Sequence, residues 1–414
     1  MTHPILSHTY PNGLVLVAEP MMSLQSAAFT FLTPAGSIHD PTDRGGLSSF
    51  TCEMALRGAG PRDSRQFILD LDNLGVDHNE SVSNAHTSYS GAMLAENLAP
   101  ALTIFADLLR RPHLPEDQIE AGRLAMLQEL RAVEDEPSHK IGIELRRRHY
   151  PDPWGRPSHG EQAALEATTI ADIRDHFERR YQPNGTVLGV AGRFEWEALK
   201  DLVGALFGDW NSLADADIQE TPTRCRYEHL PYDSQQTQVG VAYASVPYRD
   251  PDYFQAWGAV GVLGSGMSSR LFTEVRERRG LCYSVYASYH TLLDRGAVFC
   301  YAGTGADRAQ ETLNVMLREL VRLGKGIEDG ELSRLKARIK SALIMQQESS
   351  SGRSSSLARD WYYLGYPRTL DEVGKRIDGL SSRSINAYLA DHSPRDFTVV
   401  TLGSHELEVP VEIS

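Results

Sequence analysis

The sequence predicts an α+β protein of two homologous domains, each a largely antiparallel sheet with helices packed on one face. Three observations carry that expectation. Residues recur half a chain apart in the same order. Each half opens on apolar, strand-like runs and continues into helical periodicity. Strands and helices do not alternate as regular βαβ units, which favours segregated layers over a doubly wound parallel sheet. The recurrence is specific: Ser64, Arg65, Phe67 and Gly75 reappear 205 residues on as Ser269, Arg270, Phe272 and Gly280. Arg123, Leu124, Pro183 and Gly192 reappear 211 residues on as Arg334, Leu335, Pro394 and Gly403. One step of six residues in an otherwise constant offset is what a small insertion in one of two copies produces.

The elements follow in order. "LSHTYPNGLVLVAE" is a strand, an Asn-Gly turn and a strand, a strong hairpin signal. "SAAFTFLTPAG" and "TQVGVAYASV" are apolar strands that open the core of each half. Helices are expected at 44–58 and 64–74 in the first half and at 252–263 and 268–279 in the second. A longer helix opens at Pro115 and stops at Pro137. "TVLGVAG" (186–192) and "FTVVTLG" (397–403) read as late strands. The polar, weakly periodic "NSLADADIQETPTRCR" is the best linker. The first domain is therefore assigned to 1–212, the linker to 213–226 and the second domain to 227–414. The Ser-rich "ESSSGRSSS" (348–356) lies between helical patterns and reads as a helix break.

Composition narrows the function classes. A chain of 414 residues with 41% hydrophobic and 23% charged residues has material for more than one globular core. A net charge of −14, from 41 basic and 55 acidic residues, argues against a nucleic-acid partner, which asks for a basic footprint. It suits long-range attraction of basic peptides. No apolar run approaches the roughly 20 residues of a bilayer span, so no membrane partner is expected. "MTHPILSHTYPNGL" has neither a basic nor an apolar signal region, so the cytoplasm is the default location. Cys52, Cys225, Cys282 and Cys300 are scattered without a C-x-x-C pair. Free thiols in a reducing compartment are expected, not a zinc knuckle or a disulfide framework.

Two stretches carry chemistry. In "GLSSFTCEM" (46–54), Leu47, Phe50 and Met54 mark one helix face, and Ser49, Cys52 and Glu53 sit beside it. In "LGSGMSSRLFTEVRERRGLCYSVYASY" (263–289) the glycines lack the third Gly and the Lys of a phosphate loop. That segment reads as a tight turn, a helix ending in Arg276, Arg278 and Arg279, Gly280 as C′ cap, and a strand whose Leu281, Tyr283 and Val285 share a face.

These stretches resemble the pitrilysin/insulysin family of zinc peptidases, the inverzincins, and in particular its branch related to the mitochondrial processing peptidase. The resemblance covers nearly the whole chain. "YPDPWGRPSHG" (150–160), "QELRAVEDEP" and "YQPNGTVLGVAGRFEWEALKDLVGALFGDW" are similar to family segments. The family signature H-x-x-E-H holds zinc with two His on one helix face, and its Glu activates the bound water. Here Gly46-Leu47, Phe50, Met54 and Gly58 keep the frame. Ser49 and Glu53 stand at the two His positions and Cys52 at the general-base position, so the helix at 46–58 is a degenerate form of the motif. Glu129 matches the third ligand. It lies three residues from Met126 and four from Val133, on what reads as the inward stripe of its helix, where it wants an Arg or water partner. Ser49 is a poor ligand, and the adjacent Cys52 and Glu53 project about 100° apart. His78 and His86 are too distant in sequence to place. No metal is expected on this chain.

Arg276 and Tyr283 match the Arg/Tyr pair of the family's second half in spacing and context. The resemblance thus implies the non-zinc subunit of a heterodimeric metalloendopeptidase. A paralogous partner would bind the zinc. This chain would close a chamber around an extended, unfolded peptide and lend Arg276 and Tyr283. Competing readings are a structural or peptide-binding subunit without catalytic contribution, a metallopeptidase with an atypical site, and, weakest, a hydrolase using Ser49 or Cys52, which lacks a G-x-S-x-G elbow and a nearby His.

Overall fold

A computed structural model describes residues 4–213, 218–223, 226–346 and 349–410. Cys225 and part of the predicted linker lie outside the described residues. The chain divides into two compact units. One comprises 1–131, 156–219 and 344–370; the other comprises 132–155, 220–343 and 371–414. Among the described residues no helix is long and apolar enough to cross a membrane.

The first unit is organised by a six-stranded sheet. Its strands are β1 (Leu6–Thr9), β2 (Val15–Pro20) and β3 (Ser26–Thr33), then β6 (Asp77–Val82), β7 (Thr87–Leu94) and β8 (Val187–Gly192). A small hairpin of β4 (Gly58–Ala59) and β5 (Arg62–Asp63) stands apart. The order is β1-β2-β8-β3-β7-β6, antiparallel except for β2 beside β8. The expected hairpin turn forms at Asn12-Gly13. Gly13 takes φ 92°, a left-handed value that glycine adopts without strain. The Asn12 amide donates to the carbonyls of Phe207 and Trp210 at 2.7 and 3.1 Å, tying the turn to the end of helix Trp196–Phe207.

The central strands are apolar on both faces, which calls for two covers. On one face Leu16, Phe29, Phe31, Leu188 and Val190 share a core with Phe50 and Met54 of helix Leu47–Ala55 and with Phe105 of helix Leu98–Arg110. On the other face Val15, Val17, Leu32, Val187 and Ala191 pack against Leu357 and Ala358 of helix Ser350–Leu364. The predicted α+β layering therefore holds, with a further helix added to the face expected to be bare. That helix narrows the reading of the serine run as a break: helix Asp329–Gln346 ends before the run, so the boundary falls at its start, and residues 350–356 are helical. Ser349 is the N-cap, accepting from the Gly352 N–H at 3.1 Å, and the serines after it are helical. Their small size is what the packing needs. A Cβ on Gly189 would lie 2.2 Å from the Ser354 carbonyl, so helix and strand are in backbone contact. Thr30 and Ser354 hydroxyls bond at 3.1 Å across this junction, and Ser26 and Ser350 at 3.3 Å. Beside them Arg353, 1% exposed, donates through Nε to the buried Glu19 carboxylate and through Nη2 to the Arg368 carbonyl at 2.9 Å.

The second unit repeats the plan. Its strands are β9 (Tyr227–Pro231), β10 (Gln236–Ser245), β11 (Cys282–Thr291), β12 (Gly296–Gly305) and β13 (Thr398–Gly403), in the order β11-β12-β10-β13-β9. Only β13 and β9 run parallel. One face packs on helices Tyr253–Gly264, Ala309–Leu323 and Ser382–Asp391. The other receives Ile141 and Leu145 of helix Pro137–His149, which the first half contributes. Pro137 ends the preceding helix, Ile119–Glu134, and opens this one, where its missing N–H costs nothing. In both units the outermost strand, β6 or β11, follows a left-handed glycine, Gly75 at φ 61° and Gly280 at φ 59°. The 205-residue offset marks this shared turn.

Replacing Arg353 with Ala leaves the Glu19 carboxylate buried without its counter-charge. Unfolding free energy from chemical denaturation should fall by about 3–5 kcal/mol, and the double change Glu19→Gln with Arg353→Met should recover most of that loss.

Candidate functional site

Helix Leu47–Ala55 begins at Gly46, whose φ of 93° and neighbouring loop leave no room for a side chain: a Cβ would lie 2.9 Å from the Gly160 Cα. The buried Asp40 caps it. Asp40 accepts from the Gly46 N–H at 2.8 Å, the Ser48 N–H at 2.9 Å and the Ser48 hydroxyl at 2.6 Å. Burial pushes this carboxyl up to about 6, against the pull of those three donors and Arg156. Beneath, the His176 ring nitrogen meets the Ser48 hydroxyl at 3.3 Å. Burial, then the charge of Arg180, hold His176 down to about 3, and the same two causes hold His39 down to about 4.

Ser49, Cys52 and Glu53 are each engaged by neighbouring groups. Ser49 donates to the Ser158 carbonyl at 2.7 Å. Glu53 is paired with Arg57, one turn on, at 2.6 Å. Cys52 is buried beside the Tyr89 hydroxyl, which itself meets Tyr181 at 2.7 Å. Burial pushes the Cys52 thiol up to about 12, and the carboxylates of Glu80, Glu53 and Glu129 push in the same direction. A thiol so shifted stays protonated at neutral pH, and among the described residues Ser49 has no His partner, so neither side chain is an activated nucleophile.

Glu129 departs from expectation. Helix Ile119–Glu134 rests on the motif helix through Gly122, where a Cβ would lie 2.7 Å from the Met54 sulfur, and buries Met126. The next turn has no such cover, so the Glu129 side chain is 57% exposed and not on a buried stripe. Its partner is a histidine, not an arginine. His159 Nε2 lies 3.5 Å away and holds the carboxyl below the usual range. His78 pairs with Glu80 at 2.7 Å, and His86 lies half-buried with its ring edge-on to Tyr362.

In the second unit the helical turn before β11 is irregular. Phe272–Glu277 is wound as a π-helix, and the Arg278 N–H reaches back five residues to the Thr273 carbonyl at 2.9 Å. Glu274 takes Arg278 and Arg279, both at 2.6 Å. Arg276 makes no carboxylate pair among the described residues. Its guanidinium instead lies 4.8 Å from the ring centres of both Phe272 and Tyr283. Tyr283 reaches that position because the strand register slips: Cys282 faces Thr304, Ser284 faces Gly303, and Tyr283 is left over as a bulge. It is 84% exposed while Leu281 and Val285 are buried, so the expected common face of these three does not form. Sequence periodicity had no means of registering either irregularity.

Family models match the two halves in turn: "Insulinase (Peptidase family M16)" over residues 17–154 and "Peptidase M16 inactive domain" over residues 167–339. The chain belongs to peptidase family M16. A Bacillus subtilis (strain 168) relative described as an uncharacterized zinc protease, YmxG, is 26% identical over 402 residues, covering 96% of this chain and 98% of its own. A Mycobacterium tuberculosis (strain H37Rv) relative described as an uncharacterized zinc protease, Rv2782c, is 27% identical over 406 residues, covering 96% of this chain and 92% of its own. Two solved structures have the same fold. A Pseudomonas fluorescens structure described as a peptidase M16 inactive domain has a TM-score of 0.87 at 21% identity, covering 98% and 99% of the two chains. A chain of Candida albicans complex III2 has 0.82 at 18%, covering 97% and 96%.

The zinc that the M16 relatives' names imply finds no fitting donor set on this motif helix. A closed or catalytic zinc site takes three or four convergent N, S or carboxylate donors. Ser49 is committed to a carbonyl, Cys52 is a buried neutral thiol, and Glu53 and Glu129 face different partners. Among the described residues no group of three or more His, Cys, Asp and Glu is arranged to hold a metal.

The neutral His176 sets a pH dependence. Its folded pKa is depressed, so its contribution is complete above the unfolded value near 6.5 and is lost as pH falls toward 3. His176→Gln should flatten the fall of unfolding free energy near pH 5 by about 1.3 kcal/mol per pH unit, read from urea denaturation at several pH values.

Proposed function

We propose that this M16 chain is the non-zinc subunit of a heterodimeric zinc metalloendopeptidase acting on unfolded peptides. A paralogous subunit with an intact H-x-x-E-H motif supplies the metal and the base, and this chain binds no zinc. The observation that carries the reading is the coincidence of two register faults, a π-helix under Arg276 and a β-bulge under Tyr283, at the two matched positions. Regular winding and regular pairing are given up only there along this segment, and such irregularities serve to re-aim side chains. What they produce is a half-buried cation stacked on an exposed phenol, with the phenol hydroxyl open to a ligand.

The chemistry follows from the donors. A guanidinium presents N–H groups in a fixed fork and a tyrosine presents one O–H. Both can donate to a peptide carbonyl whose oxygen gains negative charge during attack, and donors fixed beforehand stabilise that charge without reorganisation. Stacking on Phe272 and Tyr283 limits the freedom of Arg276 before substrate arrives. The sheets also offer unpaired outer strands, β6 and β11, to which an extended peptide can add as a further strand.

The fold likeness to a complex III2 chain favours a second reading, a purely structural or peptide-binding subunit. Cleavage of a quenched unfolded peptide separates the two. An M16 chain carrying H-x-x-E-H should gain activity when this chain is mixed with it. Arg276→Ala or Tyr283→Phe in the mixture should each lower kcat by about 10²–10³-fold. Full activity with both substitutions present would support the structural reading.

A further inference from the structure

We propose that the cavity beneath helix Pro137–His149 in the second unit is a binding site for an aromatic carboxylate. The cavity holds about 180 Å³ and is lined by Gly142 and Arg146 of the helix and by Tyr286, His290, Phe299 and Tyr301 of β11 and β12. It exists because the helix is seated to one side. Ile141 and Leu145 press onto Gly240 of β10, where a Cβ would meet them at 3.1–3.3 Å, and the face of β11 is left uncovered.

Gly142 is the first sign that the space is kept open. Glycine weakens a helix interior relative to alanine. Gly240 has a packing reason to be glycine, but Gly142 has none: a Cβ there meets nothing within 4 Å, and its backbone is ordinary helix. What the missing side chain preserves is the cavity.

The polar groups on the walls give the ligand its shape. Tyr301 donates to Gln238 at 2.7 Å, and the His290 ring nitrogen meets the Tyr150 hydroxyl at 2.9 Å. Burial holds His290 down to about 4, so at neutral pH it adds no charge. Arg146 differs from all of these. Its guanidinium has no hydrogen bond or ion pair among the described residues, yet it lies close enough to Tyr286 and His290 to act on both electrostatically. The carboxylate at the other end of the helix, Glu136, accepts from Ser138 at 2.7 Å and acts electrostatically on the Tyr301 wall, but it is ten residues from Arg146, roughly 15 Å by helical rise. The cavity is thus an aromatic box with one unmatched cation at its rim. An apolar cavity of about 150 Å³ accepts a single benzene ring. The rings of Tyr286, Phe299 and Tyr301 offer edges and faces to such a group, and Arg146 offers a fork to a carboxylate attached to it. The C-terminal residue of a peptide ending in Phe or Tyr has this chemistry, as does a free arylalkanoic acid.

Isothermal titration of the full chain tests the assignment with N-acetyl-phenylalanine, its amide and 3-phenylpropionate. The acid should bind at least about tenfold more tightly than the amide. Arg146→Gln should erase that difference, and Gly142→Leu should abolish binding without lowering the thermal midpoint. A preference for N-acetyl-phenylalanine over phenylpropionate would identify a peptide terminus as the source, and the reverse a free acid. Absence of binding, equal affinity for acid and amide, or unchanged binding in Gly142→Leu would overturn the proposal.

Discussion

Everything in this fold depends on the two-sidedness of its sheets. β2, β3 and β8 carry apolar residues at successive positions, as does much of β10 and β13, so a single layer of helices leaves one face of each sheet in water. Burial of apolar area at about 25 cal/mol per Å² makes that untenable over several strands. The answer is a helix on the second face of each sheet, and each helix comes from the other half of the chain: Ser350–Leu364 for the first sheet and Pro137–His149 for the second. Small residues set the fit. Gly189 brings its strand into contact with the backbone of Ser354, and Gly240 makes room for the side chains of Ile141 and Leu145. The buried Arg353–Glu19 pair then holds the first of these helices to the end of β2.

Once both faces are covered, the edges are what remain for function. β6 and β11 occupy equivalent positions and are entered through equivalent glycines, but the approaches differ. Before β6 the helix Ser64–Asn73 is regular, whereas before β11 it is wound as a π-helix and followed by a bulge. The duplicated frame is kept in both halves, and the departure from regularity is confined to the half that carries Arg276 and Tyr283. On the motif helix the opposite has happened. Its geometry is regular, and Ser49, Cys52 and Glu53 each have an ordinary partner close by.

Much of the architecture was legible in the residues because it rests on local rules. The Asn12-Gly13 turn, the left-handed Gly280, and the apolar runs of β3, β8, β10 and β13 follow from turn chemistry and patterning. The misses have one cause, which is that cover is a tertiary property. Periodicity put Glu129 on a buried stripe, but contact between the helices is made around Gly122 and Met126 and does not extend to it. The serine run, short and between helical patterns, read as a break; the boundary lies at its start, and close packing on Gly189 keeps the remaining serines helical. Alternation placed Tyr283 with Leu281 and Val285 because no rule of spacing announces a bulge. Of the groups around the motif helix, Asp40 carried a signal, an Asp-Pro step shortly before a helix start. Tyr89, Tyr181 and His159 carried none, since each comes from a segment distant in sequence.

The central claim is that this chain contributes donors to peptide cleavage without a metal of its own. Zinc content after equilibrium dialysis of the purified chain against buffered zinc tests it most directly, with Glu129→Gln measured alongside. The account predicts no stoichiometric zinc on the native chain and no effect of the substitution. One zinc per chain, lost in Glu129→Gln, would contradict it and would mean that the motif helix still holds a metal.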